Sequence, residues 1–173
     1  VNYQDKLDTY QLQTDPARPK QYFFDGKWLF LEEKTVKLRV KGLPVAVKRK
    51  AYWSRYGPTV VTGRGTFAIR TGAFMDFRGM EQWYRMNKAC SFHEFYAALK
   101  PVHLPMFNIV YADRDTIFYV SNGKIPLRER GFNWRSTLPG NTSKTLWNRF
   151  HPLSDLPQYV NPKSGYLFNM NHT

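Results

Sequence analysis

Cysteine, acidic residues and long apolar runs are scarce or absent in this 173-residue chain. A single cysteine, Cys90, excludes an internal disulfide and a cysteine-rich zinc module. No apolar run approaches the ~20 residues that a membrane-spanning helix needs. The first ten residues carry no secretory signal, which a processed or excised chain would have lost. The four histidines lack metal-ligand spacing, and no glycine-rich loop has the sequence context of a phosphate site.

Positive charge and aromatic side chains are what the chain has in excess. Lys and Arg together number 26 against 13 Asp and Glu, so the net charge is +13, and 17% of the residues are aromatic. The length suits one domain with a core, and the aromatic content argues against disorder. The charge is compatible with an anionic partner such as nucleic acid.

Most strand signals lie in the first seventy residues. Residues 1–20 are polar and end in a proline-containing connector. Asp25-Gly26 separates two aromatic runs and supplies the positive-φ residues of a tight hairpin. Residues 35–41 alternate apolar with basic side chains, which predicts a strand with one apolar face. Further strands are predicted near 45–52, 59–62 and 66–70, so this part is mostly antiparallel sheet.

Two helices and a hairpin are predicted next. Residues 77–87 have helical spacing, and Ser91 and Glu94 form a capping box before a helix that Pro101 ends. Strands 107–112 and 116–121, joined by a two-residue turn, would pair Asn108 with Ser121. Asn122-Gly123 predicts another turn, and residues 165–168 predict a last strand. The chain stops soon after that strand, as a piece of a longer protein would.

Three blocks in the second half of the chain are the most informative. They read Met-Phe-Asn-Ile-Val-Tyr-Ala-Asp at 106–113, Asn-Gly-Lys-Ile-Pro-Leu-Arg at 122–128, and Asn-Pro-Lys-Ser-Gly-Tyr-Leu-Phe-Asn-Met-Asn at 161–171. In this order they resemble the penicillin acylase family of N-terminal nucleophile amide hydrolases, which also includes cephalosporin, aculeacin and acyl-homoserine lactone acylases. Weaker matches at 5–8, 56–60 and 92–99 extend the resemblance over nearly the whole chain.

The resemblance implies an α+β fold, part of an αββα sandwich of two antiparallel sheets. Residues of about 20–75 would form a β-rich insert, 76–100 a small helical insert and 101–173 strands of the hydrolase core. Because the family's heavy chain begins with Ser, Cys or Thr and this chain begins with Val1, the resemblance implies an internal piece of that heavy chain, inactive alone. Its partners would be the light chain and the nucleophile-bearing segment, in a periplasmic or secreted enzyme acting on N-acyl amides.

Two residues match catalytic positions of that family. Asn108 matches an Asn whose side-chain amide helps to form the oxyanion hole, and a fixed N–H donor there stabilises the tetrahedral oxyanion. The alternative for Asn108 is a cross-strand polar contact, since a buried Asn needs partners. Arg128 matches an active-site Arg whose planar fork can orient a carbonyl or carboxylate. Its alternative is a solvated Arg beside Glu129 and Arg130.

A calcium site is the one cofactor that the resemblance suggests. Asp5 and Asp8 match carboxylates that bind calcium in some family members, Leu7 would offer its carbonyl, and Asp113 is a further candidate. Calcium takes six to eight oxygen ligands, so this chain would supply part of the shell. An Asp-x-x-Asp pattern on its own is more often an exposed turn.

Two other functions stay open at this point. One is a basic, β-rich module for single-stranded nucleic acid, in which cations and the nearby Tyr52, Trp53 and Tyr56 would bind backbone and bases. The cations lie on or beside one predicted hairpin: Lys37, Arg39, Lys41, Lys48, Arg49 and Lys50. The other is a non-catalytic relative that keeps the acylase scaffold.

Overall fold

The computed structural model describes residues 5–74 and 76–170. Within them, eleven strands and two α-helices follow one another. In chain order they are β1 (Leu7–Leu12), β2 (Gln21–Phe24), β3 (Lys27–Phe30), β4 (Glu32–Leu38), β5 (Val47–Ser54), β6 (Gly57–Thr62), β7 (Gly65–Thr71), α1 (Gly79–Lys88), α2 (Phe92–Leu99), β8 (Met106–Ala112), β9 (Ile117–Gly123), β10 (Leu138–Pro139) and β11 (Gln158–Val160). Neither helix among these residues has the length and apolar character needed to cross a membrane.

The elements fall into two compact units. The sheet unit consists of Leu7–Thr71 and Arg128–Trp147. The helix unit consists of the other described residues, drawn from 5–6, 72–127 and 148–170. The predicted division into a core and two inserts concerns the layout of a longer protein and stays a prediction.

A six-stranded sheet in the order β10-β1-β7-β6-β5-β4 forms most of the sheet unit. Its neighbouring strands are antiparallel except for β1 and β10, which are parallel. Sequence analysis assigned no strand to residues 7–12, yet every second residue of β1 is buried there, namely Asp8, Tyr10 and Leu12. The aromatic core that includes Tyr10 also contains Tyr56. One face of β1 therefore buries a carboxylate among apolar side chains.

The predicted tight hairpin is confirmed. β2 pairs with β3 so that Phe24 lies opposite Lys27, and the two residues between them have positive φ, 45° at Asp25 and 79° at Gly26. These angles are those of the hairpin turns whose twist matches the strands they join. The predicted strands near 59–62 and 66–70 are also confirmed, as β6 and β7.

The β4–β5 hairpin continues past the rest of the sheet as a two-stranded ribbon. β4 runs over Glu32–Leu38 rather than 35–41, and β5 pairs with β6 only at its last three residues. The alternation of apolar and basic side chains is present, but Val36 and Leu38 are 42% and 47% exposed. Their predicted apolar face is exposed because no third strand or helix among the described residues covers the ribbon.

The helix unit packs α1 and α2 with an antiparallel sheet in the order β11-β9-β8. Its core includes Phe95 and Leu99 of α2. The predicted cap of α2 is confirmed, because Ser91 Oγ accepts a hydrogen bond from Glu94 N at 3.3 Å. The reciprocal bond differs from a standard capping box: Glu94 Oε2 accepts from Cys90 N at 2.7 Å, one residue earlier than expected.

Two predictions for the last third of the chain are wrong. Asn122-Gly123 is not a turn but the end of β9, because Asn122 is buried and its Nδ2 donates to Leu104 O at 2.9 Å. Residues 165–168 are not a strand, and β11, at Gln158–Val160, takes the place beside β9 instead. Asn171, at the end of the third block, lies outside the described residues.

Candidate active site

Asn108, the predicted oxyanion-hole donor, lies in the middle of β8. The predicted two-residue turn after β8 forms, since Asp113 N donates to Thr116 O at 2.9 Å. That turn sets the register in which Asn108 is opposite Ser121, as predicted. Ser121 Oγ donates to Asn108 Oδ1 at 3.3 Å. The carbonyl end of the half-buried Asn108 side chain is therefore held by the neighbouring strand.

The amide nitrogen of Asn108 contacts the third sequence block. Asn108 Nδ2 donates to Asn169 Oδ1 at 3.2 Å, which joins two blocks whose residues are 61 positions apart. A side-chain amide has two N–H donors. Among the described residues, Asn169 is the one hydrogen-bond acceptor of Nδ2, so the second N–H is available to an incoming oxygen.

The same block also holds the turn between β8 and β9. Asn161 Oδ1 accepts from Ile117 N at 2.8 Å, and Asn161 Nδ2 donates to Asp115 O at 3.2 Å. Asn161 has a φ of 44°, a conformation that Asn tolerates better than most residues. Asp113, the further calcium candidate, accepts a hydrogen bond from Asp115 N at 2.9 Å and so caps this turn. The first part of the third block thus has a structural task.

Arg128 forms a bidentate ion pair with Asp8 in the sheet unit. Arg128 Nε donates to Asp8 Oδ2 at 3.0 Å, and Nη2 donates to Asp8 Oδ1 at 3.1 Å. Trp147 Nε1 donates to the same Oδ2 at 2.6 Å. The side chains of Arg128 and Asp8 are 15% and 1% exposed. The structure therefore joins a predicted catalytic residue to a predicted calcium ligand, which sequence analysis had kept apart.

These contacts do not fit calcium at Asp8, because both carboxylate oxygens already accept hydrogen bonds from N–H donors. Leu7 begins β1 opposite Thr71, and Asp5 is exposed and belongs to the helix unit. The described part of the chain holds no group of three or more His, Cys, Asp or Glu suited to a metal ion. We therefore assign no chemistry to a metal at this site.

Tyr10 adds a buried hydroxyl to the same face of β1. Its ring lies against that of Tyr56, with 4.2 Å between the centroids. The hydroxyl has no hydrogen-bond partner among the described residues. Burial, followed by the negative charge of Asp8, raises the pKa of Tyr10, so the phenol stays neutral. At residues 9–12, polar Thr9 and Gln11 alternate with Tyr10 and Leu12, and this was the signal that could have revealed part of the buried face.

A second buried ion pair lies in the helix unit. The carboxylate of Asp76, whose side chain is 7% exposed, accepts from Arg78 Nε at 2.8 Å and from Lys124 Nζ. His103 Nδ1 lies 3.3 Å from Asp76 Oδ2. The hydrogen bonds from Arg78, with a smaller effect of Lys124, hold the pKa of Asp76 below its usual value although burial opposes them. Lys124 belongs to the second sequence block, and no local pattern indicated its partner.

Two buried amides fix the segment that leads into β8. Gln82 Oε1 accepts from His103 N at 2.6 Å and from Leu104 N at 3.2 Å. Asn122 Nδ2 donates to Leu104 O, so Leu104 is held through both its N–H and its carbonyl. No sequence pattern indicated either amide. Together they position the chain just before the strand that carries Asn108.

The basic residues of the nucleic-acid interpretation lie on the exposed β4–β5 ribbon, where Lys37 is directly opposite Lys48. Glu33 forms ion pairs with Lys50 at 3.0 Å and with Lys20 at 2.8 Å. Tyr56, one of the rings considered for base stacking, is fully buried, and its hydroxyl donates to Thr142 O at 2.7 Å. Tyr56 is therefore a core residue and not a stacking platform.

Comparison with known proteins decides the family. The family model described as penicillin amidase matches residues 1–173, the whole chain. The chain belongs to the penicillin amidase family. Sequence analysis reached this family from the three blocks, two of which meet at Asn108.

This penicillin amidase family chain is similar in sequence to named acylases. It is 26% identical over 129 residues to the acyl-homoserine lactone acylase PvdQ of Pseudomonas putida, covering 68% of this chain and 17% of the relative. It is 25% identical over 177 residues to the penicillin G acylase of Escherichia coli, covering 100% of this chain and 21% of the relative. The chain therefore spans about a fifth of the length of these relatives.

A solved structure establishes the fold. The chain matches the thermostable penicillin G acylase from Alcaligenes faecalis with a TM-score of 0.87, at 24% identity, over 99% of this chain and 32% of that chain. The predicted α+β fold of the penicillin acylase type is confirmed.

Proposed function

We propose that this chain is part of a longer acylase, here called the parent protein, that hydrolyses N-acyl amide bonds with Asn108 as an oxyanion donor. Membership of the penicillin amidase family supports this proposal, as do relatives named acyl-homoserine lactone acylase and penicillin G acylase. The acyl substrate would belong to the same broad class, an amide of a phenylacetyl or fatty acyl group.

The proposed chemistry begins with an N-terminal Ser, Cys or Thr in another segment of the parent protein. Its α-amine acts as the base, and its side chain attacks the amide carbonyl. The carbonyl oxygen then becomes an oxyanion. Collapse of this adduct breaks the C–N bond, the amine leaves with the proton that the α-amine had taken, and water then hydrolyses the acyl-enzyme. An N–H donor aimed at the oxyanion stabilises the transition state more than the ground state, typically by about 2.7–4 kcal/mol.

One observation supports this role of Asn108 more than any other: its amide is held on two sides while one N–H remains available. Ser121 contacts the oxygen and Asn169 accepts from the nitrogen. Such a side chain needs little reorganisation when the oxyanion forms, which is the condition for effective electrostatic catalysis.

Arg128 is a weaker candidate for a direct contact with substrate. Its Nε and Nη2 donate to Asp8, so these two donors of the planar fork serve the protein. A substrate-orienting role for Arg128 stays a prediction. The predicted partners, a light chain and the nucleophile-bearing segment, and the periplasmic or secreted location belong to the same proposal for the parent protein.

The test is hydrolysis by the purified parent protein. We expect it to release amine from a chromogenic phenylacetyl or decanoyl amide, and we expect a variant lacking the N-terminal nucleophile to release none. The isolated 173-residue chain should be inactive on both substrates, like a heat-treated control. If the processed and folded parent protein hydrolyses no N-acyl amide, it is a non-catalytic relative and the proposal is wrong.

A further inference from the structure

We propose that the guanidinium of Arg128 takes the place of a calcium ion at Asp8, so that the Asp8 site of this chain is neutralised internally and binds no calcium. The inference does not rest on the proposed enzymatic function. It rests on three contacts within the sheet unit and on the burial of the residues that make them.

The Asp8 carboxylate is buried and needs its charge neutralised. Asp8 lies on the buried face of β1 with Tyr10 and Leu12, and its side chain is 1% exposed. A buried carboxylate without a positive partner is strongly unfavourable, because it has lost the water that stabilised its charge. Asp8 must therefore either be protonated or have a positive charge beside it in the folded protein.

Arg128 meets this need with good geometry. Its Nε and Nη2 reach the two oxygens of Asp8 at 3.0 and 3.1 Å, a parallel two-bond arrangement in which a guanidinium matches a carboxylate. The Arg128 side chain is itself 15% exposed, so water weakens the pair little. Its guanidinium carbon lies 5.4 Å from the ring centroid of Trp134, which adds a cation–π contact.

Trp147 completes the set of donors. The indole N–H donates to Asp8 Oδ2 at 2.6 Å, and Trp147 is 5% exposed. Arg70 packs on this residue in two ways: Arg70 Nε donates to the backbone Trp147 O at 2.7 Å, and its guanidinium carbon lies 4.7 Å from the indole ring centroid. The indole is therefore packed by one cation while its N–H faces Asp8.

Calcium cannot bind Asp8 while Arg128 and Trp147 donate to its carboxylate. Calcium binds through oxygen lone pairs, and those of Asp8 already face three N–H donors. A divalent ion beside Asp8 would also lie within a few ångströms of the Arg128 guanidinium and be repelled by it. Binding would require Arg128 to leave a buried ion pair.

Calcium content and thermal unfolding of the parent protein test the inference. The protein is dialysed against EDTA, re-equilibrated with calcium chloride and passed through a desalting column, and its calcium is measured by elemental analysis. We expect the wild type and Asp8→Asn to carry the same amount of calcium. We also measure how far calcium chloride raises the Tm above its value in EDTA. We expect this rise to be the same in the wild type and in Asp8→Asn.

Substitutions then separate the roles of charge and shape. Arg128→Met, which keeps an apolar stem, should lower the Tm in EDTA by roughly 2–3 °C, because it leaves the Asp8 carboxylate buried without a cation. The Tm of the double variant Asp8→Asn/Arg128→Met should fall less than that of Arg128→Met, since the uncompensated charge is gone. Arg130→Met is the matched control, because Arg130 is exposed. The Tm of this variant should equal that of the wild type.

Wild-type protein that retains one calcium per chain, and loses it in Asp8→Asn, would overturn the inference. If Asp8→Asn retains as much calcium as the wild type, that calcium is bound at another site, and the result supports the inference. If Arg128→Met does not fold, the calcium contents of the wild type and of Asp8→Asn still decide the question.

Discussion

Replacing Asn108 with Ala in the parent protein is the most direct test of the candidate active site. The substitution removes the N–H donor while leaving β8 paired with β9, because the strand hydrogen bonds belong to the backbone. Loss of one oxyanion donor lowers kcat by about 10²–10³, or about 2.7–4 kcal/mol. We expect KM to stay within a few-fold, since the donor acts mainly in the transition state. Asn108→Asp should be at least as damaging, because a carboxylate repels the oxyanion.

The neighbours of Asn108 allow a sharper version of this test. Ser121→Ala and Asn169→Ala each remove one hydrogen bond that orients the Asn108 amide. A hydrogen bond of this kind is worth about 0.5–1.5 kcal/mol, so each variant should lower kcat by roughly 2–10-fold. Because both neighbours act through Asn108, either substitution should change kcat little once Asn108 is already Ala.

Steady-state kinetics on the purified, processed parent protein measures these effects, with circular dichroism to confirm folding. Two results would contradict the assignment of Asn108 as an oxyanion donor. One is a folded, processed Asn108→Ala protein whose kcat stays within threefold of the wild type. The other is a Ser121→Ala effect that is as large in the Asn108→Ala background as in the wild type, since Ser121 would then act independently of Asn108.

Two further predictions concern stability, measured by thermal unfolding of the parent protein. Gly140→Ala should destabilise it by roughly 1–3 kcal/mol, because the new Cβ would lie 2.6 Å from Leu12 Cδ2 and 2.7 Å from Gln11 O; an unchanged Tm would contradict this close approach. Asp76 has a lowered pKa, so its contribution to stability is present above about pH 4 and is lost as the pH falls further. Asp76→Asn should therefore flatten the acid side of the Tm profile, and a profile that kept its slope would argue against the ion pairs of Asp76 with Arg78 and Lys124.

Local chemistry accounts for the predictions that were confirmed. Asp25-Gly26 forms its hairpin because the two residues reach positive φ at low cost, whatever surrounds them. Ser91 caps α2 through a bond to a residue three positions away. The two-residue turn after β8 sets the pairing of Asn108 with Ser121 over a few residues.

The same local patterns mislead where a distant partner competes. Asn-Gly is typical of hairpin turns, but burial of Asn122 against Leu104 extends β9 through this dipeptide. In the third block, Asn161 bonds to the turn between β8 and β9, and Asn169 bonds to Asn108. The strand predicted at 165–168, between these two residues, does not form. In each case a side-chain amide satisfies a group that sequence spacing does not reveal.

The family, the antiparallel sheets and the short turns and caps could be predicted from the amino-acid sequence, because these depend on residue order and on neighbours a few positions apart. The partners of Asp8 could not, since Arg128 and Trp147 are 120 and 139 positions away and meet Asp8 only in the folded chain. Whether such residues meet depends on how β1 packs against a later segment of the chain, and no periodicity or motif contains that information. Asp8 resembles a calcium ligand in the sequence, but in the folded chain it is buried and paired with Arg128. The guanidinium balances the charge of a carboxylate that burial has removed from water.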